Sequence, residues 1–116
     1  MNIFIVASRF TEEPLYIPHR AFLSKEKATE WIKIQGSKAF SHISILPFDV
    51  PNSWYKKIFS GKKIPAIYVA LWEHSSGTTF FPDSIACSRD EVNQYIELLP
   101  SAIKNYTDSL GLVVIN

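Results

Sequence analysis

Cys87 is the only thiol in the chain, and His19, His42 and His74 are its only imidazoles. A thiol attacks as its thiolate, so nucleophilic chemistry at Cys87 needs a neighbouring base and surroundings that lower its pKa. The residue does precede Ser88, a candidate helix N-cap, but its counterpart in the first half of the chain is Leu23, which marks a core position. The histidines have no HxH, HxxxH or cysteine partner at metal-ligand spacing, so no metal site is expected. Glu12, Glu13 and Glu73 fall in or beside turn segments, where carboxylates are solvated and no second carboxylate is fixed for acid–base work. His19 and Asp83 each follow a proline at the same offset and read as edge residues. Phosphate-loop, dinucleotide-fold, nucleophile-elbow and zinc-protease motifs are all missing. No catalytic residue and no cofactor is therefore predicted.

The densest chemistry lies in "SWYKKIFSGKK", where Lys56, Lys57, Lys62 and Lys63 are interleaved with Trp54, Tyr55 and Phe59. Such lysines can hold phosphates while rings stack on unpaired bases. They can equally meet an acidic protein surface anchored by the aromatics. In the plainest reading Trp54, Ile58 and Phe59 are the buried side of an amphipathic helix and the lysines its wet side. Trp54, Tyr55, Lys56, Lys57, Lys62 and Lys63 are the candidate partner contacts. Further aromatics at strand ends and in connectors, Phe10, Phe40, Trp72, Phe80 and Phe81, add possible anchors.

The elements that must position these residues are written twice. The offset that carries Ser24 onto Ser88 also carries Phe4 onto Tyr68, Ile5 onto Val69, Pro18 onto Pro82, Glu26 onto Asp90 and Trp31 onto Tyr95. Identity survives only at Ile3, Pro18, Ser24 and Ile32, but the physical roles coincide throughout the aligned stretch. Each copy opens with a dense apolar run, "NIFIVAS" or "AIYVALW", the composition of a strand buried on both faces. A polar patch and a second run follow, predicting a hairpin in which Gly77 supplies the second turn. Pro18 and Pro82 lack an N–H for a ladder, so the second strand of each copy is expected at the periphery. Ser24 and Ser88 predict N-caps, and Ser88 with Glu91 has capping-box spacing. Ala28, Trp31 and Ile32, like Val92, Tyr95, Ile96 and Leu99, form one buried stripe. Gly36 and Pro100 end these helices. A last strand closes each copy, from His42 and from Leu110. A short helix from Pro51, Asn52 or Ser53 through Phe59 is expected between the copies, and another turn after Pro100.

The pattern predicts an α+β, two-layer sandwich of two tandem ββαβ repeats related by a pseudo-twofold. About six mostly antiparallel strands run second, first, third in each repeat, and the two main helices lie on one face. Residues 1–116 form a single domain, with repeats at 2–50 and 66–116 and a connector at 51–65. One such unit would bury too little surface to be stable alone, whereas 116 residues at 47 % apolar can build a shared core. Its Lys and Arg total 12 against 11 acids, a balance that gives no global field for nucleic acid or membrane. Residues 1–63 nevertheless carry ten bases and five acids, and residues 64–116 two and six. The longest apolar run, "IPAIYVALW", is far below the roughly 20 residues that span a bilayer. The apolar start lacks a basic leader region and reads as mature structure. One cysteine forbids an intrachain disulfide, and the expected location is cytoplasmic. This profile resembles that of stand-alone inhibitors, and the expectation is a non-enzymatic protein of immunity-protein or phage and plasmid counter-defence type that occludes a surface of a protein partner. The alternatives are a nucleic-acid-binding regulator using the lysine and aromatic cluster, and a small-molecule-binding or catalytic domain with its cleft between the repeats. Homodimers through the proline-bearing edge strands are a further expectation.

Overall fold

A computed structural model of the chain describes residues 1–9, 15–35, 42–61, 64–75 and 77–116. The expectations placed on Phe10, Glu12, Glu13, Gly36, Phe40, Lys62 and Lys63 concern residues outside that description. The apolar runs become strands: β1 (Asn2–Arg9), β2 (Ile17–Phe22), β3 (His42–Asp49), β4 (Ala66–His74), β5 (Gly77–Phe80) and β6 (Thr107–Ile115). The helices are α1 (Lys25–Gln35), α2 (Trp54–Phe59), α3 (Arg89–Glu97) and α4 (Ser101–Lys104), with a 3-10 turn at Pro82–Ser84. Both main helices start on a serine cap. Ser24 Oγ accepts from the Lys27 amide at 3.1 Å and Ser88 Oγ from the Glu91 amide at 3.3 Å, satisfying donors that a helix start otherwise leaves unpaired. The reciprocal capping-box bond from the Ser88 amide to the Glu91 carboxylate is not formed among the described residues.

All six strands join one curled sheet of mixed direction in the order β3-β1-β2-β6-β4-β5. The order second, first, third thus occurs in both β3-β1-β2 and β6-β4-β5. Alternation along β1 and β4 sends Ile3, Ile5, Ala7, Ile67 and Val69 into one core shared by both halves, with Phe80, Leu112 and Val114. The opposite side of β1 carries Val6, which with Phe22 packs on Ala28 of α1. On β4 the opposite side carries Ala70, which with Ala86 packs on Val92 and Ile96 of α3. Each half therefore shows one face to the common core and the other to its own helix.

The expected peripheral position of β2 is corrected: β2 lies between β1 and β6, and the sheet edges are β3 and β5. The reason is that β2 meets β6 in parallel over only Ala21–Phe22 against Val114–Ile115, downstream of Pro18. The proline itself is accommodated at a bulge, where His19 is the extra residue between the pairs Ala7↔Pro18 and Val6↔Arg20. In the second half the corresponding break is larger. β5 ends at Phe80, the 3-10 turn intervenes, and pairing resumes at the Tyr68↔Ala86 bridge, the counterpart of Phe4↔Phe22. The gap is filled by Ser84, 3 % exposed, whose hydroxyl accepts from the Ala70 amide at 2.7 Å and donates to the Phe81 carbonyl at 2.6 Å. The open edges are blunted: β3 carries Pro47 and β5 is four residues long. Gly77 has φ +151°, and a Cβ there would lie 2.6 Å from Leu15 Cδ1, so the turn into β5 requires glycine.

Candidate functional site

The basic and aromatic segment folds as the amphipathic helix α2. Its first amides, on Trp54 and Tyr55, donate to the carbonyls of Pro51 and Asn52 at 3.0 and 3.2 Å, and no side chain caps it. The Ser60 amide closes the last turn on the Lys56 carbonyl at 2.8 Å, and Gly61 leaves it at φ +103°. Ile58 is buried and Trp54 and Phe59 are half-buried against the shared core. The site residues thus divide: Tyr55, Lys56 and Lys57 face outward, Trp54 is part of the packing, and Lys62 and Lys63 are outside the described residues.

Tyr55 does not stand alone. Its ring packs on Phe59 at 4.9 Å, and its hydroxyl accepts from Asn116 Nδ2 at 3.2 Å. The Asn116 carbonyl accepts in turn from Lys27 Nζ. Just before Asn116, Val113 pairs with Ala66 across the β4–β6 ladder, and the Val114 amide donates to Pro65. This brings Ile64 beside the end of β6. Tyr55, Ile64 and Val113 are 45, 75 and 36 % exposed. Tyr55 shares the outer side of α2 with Lys56 and Lys57, Ile64 stands next to Pro65 at the start of β4, and Val113, alternating with core Leu112 and Val114, faces the other side of the sheet. Ile64 and Val113 were not singled out by sequence reading, because a single exposed aliphatic residue at a strand end carries no pattern of its own.

Beside this surface opens a cleft of about 520 Å³ between α2, the start of β4 and the start of α3, lined in part by Lys57, Ile64, Tyr68 and Arg89. Cys87 lies in its wall. Burial pushes the thiol up to about 11, the Lys57 ammonium pulling the other way and Glu91 adding to the rise. At neutral pH the group is a thiol rather than a thiolate and acts as packing. The α3 N-terminus beside it is occupied by its own cap.

The remaining candidates separate. His19, turned by the bulge, has Nε2 at 2.7 Å from Ser8 Oγ, and burial holds its imidazole below the ordinary value. Asp83, at the matching offset, is exposed in the 3-10 turn. His74 stacks on Trp72 at 5.3 Å and meets Tyr106 edge-on at 5.4 Å. Among the further aromatics, Phe80 is core and Phe81 packs on Tyr95. Among the described residues no group of three His, Cys, Asp or Glu side chains could hold a metal ion. No helix among them is long and apolar enough to cross a membrane. The opening between the edge strands β3 and β5, about 400 Å³, is lined by Tyr16, Leu46, Phe48 and Phe80 with Pro47, Thr79 and Pro82, and offers no carboxylate, imidazole or amine.

The fold is that of a small α+β domain whose helix α2 exposes Tyr55, Lys56 and Lys57. Compared with protein-family models, curated proteins and solved structures, the chain matches none.

Proposed function

We propose that this chain is a non-enzymatic protein-binding inhibitor, of the immunity-protein or counter-defence type, that covers a surface of another protein with the face formed by α2, Ile64 and the end of β6. The observation that supports this reading is exposed Tyr55 beside Lys56 and Lys57 on α2, next to a cleft that Lys57 lines together with exposed Ile64. Apolar anchors at the centre and charges at the margin are the anatomy of protein interfaces, and the charges select an acidic partner. The nucleic-acid reading is less well served, because Trp54 and Phe59 are committed to packing and Tyr55, the exposed ring of the segment, already rests on Phe59 and Asn116. A catalytic cleft between the halves is also less well served, since the β3–β5 opening lacks an acid or base for the neutral range.

The test is capture from lysate of the source cell by the tagged protein and by the double variant Tyr55→Ala/Lys56→Glu, identified by mass spectrometry. Wild type is expected to retain an acidic protein that the variant loses while keeping its thermal midpoint. Equal retention by both would refute the assignment of this face. Retention of nuclease-sensitive material, weakening steeply with salt, would move the conclusion to the nucleic-acid reading.

A further inference from the structure

Arg89 is exposed, yet it is held. Its guanidinium carbon lies 5.1 Å from the centroid of the Tyr68 ring, and Nη1 donates to both the Ser109 carbonyl, at 3.0 Å, and Ser109 Oγ, at 2.7 Å. Gly111 provides the floor: a Cβ there would come within 3.2 Å of the Tyr68 ring and 3.8 Å of Arg89 Nη2. An arginine fixed in this way before binding loses little side-chain freedom when a ligand arrives. Nη1 is committed to Ser109, leaving the N–H groups of Nη2 and Nε for a planar acceptor.

No carboxylate among the described residues lies within ion-pair distance of Arg89. The same holds for Lys57, which lines the same cleft. Asp90 shares the wall and pairs with neither. Lys57 and Arg89 therefore line one cavity with no carboxylate partner among the described residues, and the exposed Ile64 lines it with them. The α3 N-terminus in the same wall is already capped by Ser88.

We infer that this cleft receives an acidic peptide segment of the partner, with an Asp or Glu carboxylate between Lys57 and Arg89 and an adjacent apolar side chain on Ile64. The inference rests on the protein-binding reading and specifies which chemistry of partner fits it. A cleft of about 520 Å³ is larger than a carboxylate requires, so the flanking residue enters as well.

The test is a titration of the ¹⁵N-labelled protein with acetyl-Leu-Glu-Leu-Glu-amide and with acetyl-Leu-Gln-Leu-Gln-amide. The Glu peptide is expected to shift the amides of Gly61, Ala66, Ser88 and Arg89 and to slow alkylation of Cys87, and the Gln peptide to do neither. Arg89→Gln should weaken the Glu peptide by about tenfold, the loss of one charge-assisted contact, with Lys57→Gln as an independent second variant. Equal binding of both peptides overturns the inference, as does undiminished binding to both variants. Inorganic phosphate producing the same shifts at the same concentration would identify a general anion site and also overturn it. Tyr55→Ala/Lys56→Glu leaves this titration unchanged. Equal capture by wild type and this variant with intact peptide binding thus refutes the binding face alone, and loss of capture by this variant without peptide binding to wild type refutes the cleft alone.

Discussion

The two halves of the sheet are packed on their helices with bulk distributed in opposite ways. In the first half the strand contributes large Phe22 and the helix small Ala28, whereas at the same offset the second half has small Ala86 and larger Val92. Each pair lies in one buried cluster, so space is filled pair by pair and not residue by residue. That explains how chemical roles can persist along the chain while identity is nearly lost. The halves differ again after the matched prolines. In the first, a single bulged residue returns the chain to the ladder at Arg20 opposite Val6. In the second, the backbone leaves the ladder, and the Ser84 hydroxyl occupies the place opposite Ala70 that a strand residue holds in the other half.

The largest loss of stability is expected at Phe22. It is 1 % exposed with its ring 6.0 Å from that of Trp31, so Phe22→Ala should cost about 3–5 kcal/mol in urea unfolding. If bulk is traded between strand and helix, adding Ala28→Val to Phe22→Ala should recover part of that loss, although Ala28→Val alone should destabilise by overpacking. An additive double variant would show that the two positions do not share one space.

A smaller loss is expected at Ser84. Ser84→Ala removes the acceptor of the Ala70 amide inside the fold, and an unpaired buried donor costs about 1–3 kcal/mol. Hydrogen exchange should localise the effect, with faster exchange at Ala70 and Phe81 and little change at Val6 and Arg20. Unchanged protection at Ala70 would show that the hydroxyl does not stand in for the missing strand.

Strands, helix stripes and serine caps were legible in the sequence because each depends on local periodicity or on a side chain within one turn of its partner. The same locality hid what matters at the candidate site. The insertion of β2 between β1 and β6 depends on Phe22 meeting Ile115, and a proline rule applied within one hairpin has no access to that pairing. Ser84 read as part of a strand run, although Pro82 followed by Asp83 is a helical-turn start that could have flagged the break. The lysine cluster was visible as composition, but its division into packed Trp54 and open Tyr55 required the sheet beneath it. Arg89 was unremarkable in sequence. Its distinction comes from Tyr68, Ser109 and Gly111, which lie on two other elements.

The smallest expected difference concerns the two caps. Ser24→Ala and Ser88→Ala each remove an acceptor from a first-turn amide, and each should cost about 1 kcal/mol. They should not cost the same. The first turn of α3 carries Asp90 and Glu91 against Arg89, a negative balance that favours the positive end of the helix dipole even without the cap. In α1 the first turn has Glu26 between Lys25 and Lys27, so the remaining charges oppose the dipole. Ser24→Ala should therefore destabilise more than Ser88→Ala at low ionic strength, and the gap should close as salt screens these exposed charges. The measurement is the difference in unfolding free energy between the two variants across a salt series. A gap independent of salt would assign it to packing around the Lys27–Asn116 contact instead of to charge.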